Sequence, residues 1–171
     1  MNEVFYISAV VAVLSTALAV TRLNAVHALL YFIVSLLAVA VIFFVLGAPF
    51  IAALEVIIYA GAIMVLFVFV IMMLNLGPQA IQQESQWLGL KAWAGPSLLA
   101  LVLAGELIYL AAYAHGLSDV KTVGPKRVAI SLFGPYVIGI ELASLLLLAG
   151  LVGAYHLGRR DKTETEQRGE L

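Results

Sequence analysis

Glu55 and Tyr59 stand four residues apart inside an almost unbroken apolar run, FIAALEVIIYAGAIMVLFVFVIMMLNL, from Phe50 to Leu76. On a helix that spacing puts a carboxyl and a phenol on one face, and Ala62 and Leu66 extend the stripe. A charged group at the centre of a spanning helix costs about 2.5 to 3.5 kcal/mol, and less near an end. An acid kept there is suited to exchanging a proton with a hydrated path. The alternative is a carboxylate held by a neighbouring helix or snorkelling to the interface.

Ala60, Gly61 and Ala62 follow directly, three side chains too small to fill helical grooves. Such residues let two backbones approach closely. They equally tolerate a π-bulge, which would rotate the face that follows relative to Glu55. Met64, Val65 and Phe67 lie in that face. They are packing or lipid-facing residues in the first case and a dry gate in the second.

Other polar groups are scattered through apolar sequence. Glu141, in GPYVIGIELASLLLLAG, has Ser144 three residues on, placed to hydrogen-bond a partner chain. Glu106, in LAGELIYL, has no polar neighbour at helical spacing and is the weaker candidate. His27, Tyr31 and Ser35 form a stripe of the kind that usually holds helices together through bonds of about 0.6 kcal/mol each. Ser8, Ala12 and Thr16 repeat that spacing and read as a close helix contact. His27 and His156 could serve as axial haem ligands, but both sit near water at helix ends.

Five apolar runs must position these groups: Val4 to Val20, Ala25 to Leu46, Phe50 to Leu76, Ala92 to Ala114 and Leu132 to Leu157. Hydrophobic residues are 64% of the 171 and charged residues 11%, more apolar surface than a soluble domain of this size can hide. Each run is about the 20 residues that cross a bilayer. Hydrocarbon leaves backbone groups only internal partners, so each is read as an α-helix. The expected class is all-α and polytopic, with one five-helix transmembrane domain over residues 1–158. A charged tail, expected to be disordered and cytoplasmic, closes the chain over 159–171. The third run exceeds the ~30 Å hydrocarbon core and should tilt, bend or protrude. The first run lacks a basic leader and a cleavage site and is read as a retained helix.

Basic residues set the expected orientation. Arg22, Lys91, Arg159, Arg160, Lys162 and Arg168 fall on one side, against Lys121, Lys126 and Arg127 on the other. The excess favours N-out, C-in. Within the polar loop Gly77 to Lys91, the stretch Gln82 to Trp87 should lie at the headgroups. With no cysteine, the chain cannot hold thiolate iron–sulfur clusters or disulfides. No glycine-rich phosphate loop supports nucleotide or nucleic-acid binding.

Three segments resemble a known family: NAVHALLYFIVSLLAVA, ALEVIIYAGAIMVLFVFVIMMLNLG and LFGPYVIGIELASLLLLAGLVGAYHLG. They are similar to the J subunits of bacterial proton-pumping NADH:quinone oxidoreductase, respiratory complex I. The likeness covers most of the first 77 residues and then Leu132 to Gly158. It implies a five-helix subunit of the membrane arm in the bacterial inner membrane, packed against subunits A, H, K and N. It also implies no redox centre in this chain, with FMN, iron–sulfur clusters, NADH and quinone bound by other subunits. The family's third helix switches between π-bulged and α forms, which by match places the bulge around Tyr59 to Phe67. Glu55 matches the acid of the family's ALExxxYAG motif. Two other readings fit the residues themselves: a small homo-oligomeric proton-coupled transporter using Glu55, and a purely structural scaffold.

Overall fold

The computed structural model describes residues 2–73, 90–112 and 122–159, and all regular structure among them is helical. In chain order the helices are α1 (Asn2–Thr21), α2 (Ala25–Val45), α3 (Pro49–Met73), α4 (Leu90–Ala112), α5 (Pro125–Leu132) and α6 (Val137–Gly158). Five segments are long and apolar enough to cross a membrane: α1, α2, α3, Trp93–Ala112 of α4, and α6. The expected headgroup loop around Trp87 and the tail beyond residue 159 lie outside the described residues. The helices fall into two compact units, Met1–Gly124 and Pro125–Leu171.

In the first unit α2 is the hub, packing on α1, α3 and α4. Val4, Val11 and Ala12 of α1 meet Val34, Ala38, Val41 and Val45 of α2, and Leu103 and Leu110 of α4 close the cluster. Small residues at Ser8, Ala12, Ser15 and Ala38 allow the close approach that membrane helices need in place of a hydrophobic driving force. At the start of α2, the Asn24 side chain accepts from the backbone N–H of Val26 (2.9 Å) and His27 (3.1 Å), satisfying two orphan donors.

The reversal from α2 into α3 is tight and fully specified by sequence. Ala48 N–H donates to Phe43 C=O (2.9 Å) and Gly47 N–H to Phe44 C=O (3.0 Å), the two bonds of a Schellman motif. Gly47 has φ 83°, a conformation that costs glycine little. Pro49 then opens α3, where its missing N–H needs no partner. Gly47 C=O also accepts from Val123 N–H (2.8 Å), which ties the segment after α4 to this turn.

In the second unit the expected fifth run, Leu132 to Leu157, holds as a span but starts late. Pro125–Leu132 forms a short helix of its own, and the spanning helix begins only at Val137. The break falls at Phe133–Tyr136, where Pro135 lacks the N–H a continuous helix would use. A side chain at Gly134 would lie 2.7 Å from the Ile130 carbonyl oxygen, so the turn closes only on glycine.

Candidate functional site

The middle of α3 is not an α-helix. Its first turns, Pro49–Leu54, and its last, Met64–Met73, are α, but Glu55–Ile63 is a nine-residue π-helix. The registers change at defined atoms. Glu55 N–H still bonds Ile51 C=O four residues back, whereas Met64 N–H reaches Tyr59 C=O five residues back. A Cβ added at Gly61 would stand 3.2 Å from the Val56 carbonyl oxygen, itself five residues back. The absence of a side chain at 61 relieves the wider turn at the point where its carbonyl presses in. Long π segments are rare and concentrate at functional sites.

The segment begins one turn earlier than Tyr59 to Phe67, the span implied by the resemblance. The shift alters what shares a face. Each i→i+5 turn takes one more residue than an α turn, so side chains beyond Ile63 are rotated relative to Glu55. The stripe Glu55–Tyr59–Ala62–Leu66 expected at α spacing is therefore interrupted at Ala62.

Glu55 opens the π segment and is half-buried, with no ion-pair or hydrogen-bond partner among the described residues. Tyr59, Val65 and Phe67 are each about half exposed on this chain, while Met64 is buried. Ala60 and Gly61 are partly buried and Ala62 is exposed. A gate built on Val65 and Phe67 thus has one wall here, and a neighbouring chain must supply the other. Glu141 lies one turn into α6, in the second unit. There the Ser144 hydroxyl donates to the Glu141 main-chain carbonyl (2.9 Å), so its proton is already engaged within the helix.

The stripe on α2 divides among three tasks. Ser35 donates to Ala12 C=O (3.2 Å) and lies 2.7 Å from Thr16 Oγ1, which itself bonds Ala12 C=O (2.8 Å). Tyr31 lies across Gly95 of α4, where a Cβ would collide with its hydroxyl, and the Arg22 guanidinium sits 5.3 Å from its ring centroid. His27 is buried with Nε2 unpartnered. No cluster of three or more metal-ligating side chains occurs among the described residues.

Glu106 is where sequence reasoning missed most. It is the most buried acid among the described residues, 6% exposed, and Ser8 Oγ of α1 donates to its Oε2 at 2.6 Å. Its partner comes from 98 residues away, so no spacing along its own helix could announce it. The one available signal was Ser8 itself, a hydroxyl within the small-residue face of α1.

Among the described residues, five spanning helices, the acids Glu55, Glu106 and Glu141 within them and a π segment define a polytopic membrane protein. Residues 15–157 match the family of NADH-ubiquinone/plastoquinone oxidoreductase chain 6. The chain is 58% identical to NADH-quinone oxidoreductase subunit J of Pseudomonas aeruginosa over 163 residues, covering 94% of this chain and 98% of that one. It is 52% identical to subunit J of Escherichia coli K12 (95% and 89% covered) and 49% identical to that of Buchnera aphidicola from Schizaphis graminum (95% and 100%). The chain belongs to this family, as a membrane subunit of NADH-quinone oxidoreductase, complex I.

Proposed function

We propose that this chain couples quinone reduction in neighbouring subunits to proton translocation, with α3 as the moving part. The observation that carries the reading is the π segment Glu55–Ile63 between two α segments of one membrane span. Converting it to α register would remove the extra residue per turn and turn Met64, Val65 and Phe67 relative to Glu55 and Tyr59. Water would then connect past Val65 and Phe67 in one register and not in the other. Quinone chemistry biases the two registers only as far as it interacts differently with them. Glu55 and Tyr59 in the first unit, and separately Glu141 in the second, are the groups this reading assigns to proton transfer.

In this reading the chain has no redox centre; FMN, iron–sulfur clusters, NADH and quinone belong to other subunits. Subunits A, H, K and N cover the outward faces, within a bacterial inner membrane. The asymmetry of basic residues supports an N-out, C-in orientation.

The test is Gly61→Val. A β-branched side chain facing the Val56 carbonyl biases α3 against the π register. NADH-driven proton pumping should collapse while NADH oxidation by artificial acceptors continues. Normal pumping by an assembled Gly61→Val complex overturns the switch.

A further inference from the structure

We propose that Glu106, with Ser8, is a second protonation site of this subunit, separate from Glu55 and open to the membrane face on which α1 begins. Glu106 is more than nine-tenths buried, yet only Oε2 has a partner, and Oε1 has none. A buried carboxyl with a purely structural task normally has both oxygens satisfied. One serine bond returns far less than the cost of placing an acid in a spanning helix, so gluing α1 to α4 does not account for the acid. Because α4 buries Glu106 within this chain, between Leu103 and Leu110 of the core, no partner subunit can reach Oε1 without repacking that core. Water can.

A route is present. At the start of α1 and the end of α2, Asn2, Phe5, Tyr6, Val45 and Leu46 line a cleft of about 320 Å³, and Ser8 is one turn deeper than Phe5. Among the described residues no cation pairs with the carboxyl. Arg22 is engaged with Tyr31, at the Gly95 end of α4, eleven residues before Glu106. Among other titratable groups on the elements packed against α4, Glu3 and Tyr6 lie at the mouth of α1 and His27 at the far end of α2. In the exchange an O–H bond forms at Oε1 with a proton from a protonated water, which leaves as neutral water. Oε2 remains the carbonyl oxygen that accepts from Ser8.

Position makes the site more than a curiosity of packing. Glu55 is six residues from Pro49 and Glu106 six from Ala112, and both of those ends lie on the face where α1 begins. Each acid is thus about 9 Å along its helix from that end, and both helices pack on α2.

The test is redox-triggered infrared difference spectroscopy of the purified complex, comparing wild type with Glu106→Gln and Ser8→Ala. A carboxylic C=O band should vanish in Glu106→Gln. In Ser8→Ala it should move to higher wavenumber, because that carbonyl loses its donor. A Glu106→Gln spectrum that superimposes on wild type overturns the proposal. If Glu106→Gln fails to assemble, an unshifted Ser8→Ala spectrum does so. The inference rests on membership of the complex but not on the switch: normal pumping in Gly61→Val would remove the switch and leave the Glu106 band in place.

Discussion

Two parts of the first unit handle polar groups in opposite ways. Where α1, α2 and α4 meet, small residues bring backbones close, and Ser8, Thr16 and Ser35 spend their hydroxyls on partners within the chain. Along α3 the acid is half-exposed without a partner, the large side chains point away from the chain, and the backbone leaves α register. In the first arrangement a shift between helices breaks close contacts and interhelical hydrogen bonds. The second is held mostly through α2 on one side and has less to lose by changing register. In the proposed mechanism, rigidity and mobility are divided between neighbouring helices, and the divide follows side-chain size and hydroxyl placement.

The contrast can be broken from the rigid side first. Ala38 has no exposed surface in the α1–α2 contact, so Ala38→Leu should strip the subunit from the complex on native gels; overpacking costs about 1 to 3 kcal/mol and no soft neighbour is available. Retention of the subunit would mean that this contact is looser than its burial indicates. Next in size is the loss of pumping in Gly61→Val, with assembly intact. Glu55→Gln should lower quinone-dependent turnover without loss of assembly, and unchanged turnover would reduce Glu55 to a structural acid. Gly95→Ala should displace the Tyr31 ring from beneath Arg22, costing about 0.5 to 1 kcal/mol of cation–π contact, read as a lower melting temperature of the complex. Smallest is Thr16→Val, which removes one interhelical bond of about 0.6 kcal/mol. Combined with Ser35→Ala it should cost less than the sum of the two single changes, since they share a bond.

Much of this was legible before any fold was known. Apolar run lengths gave five spans, and the breaks at Asn24 and at Gly47-Ala48-Pro49 fall where capping chemistry places them. The Gly134-Pro135 interruption carried equally local information, but the apolar residues around it masked a real helix end. The i, i+4 stripe through Glu55 failed for a sharper reason: periodicity assumes an α register, and the segment that matters does not keep it.

Local chemistry alone determined that the chain crosses a membrane and where most of its helices stop, because hydrocarbon and caps act on a few adjacent residues. Only tertiary structure could decide that Ser8 and Glu106 meet, that Tyr31 lies on Gly95, and that Tyr59 and Phe67 face outward. Those facts depend on which helix faces which, a choice made by packing between segments far apart in the chain.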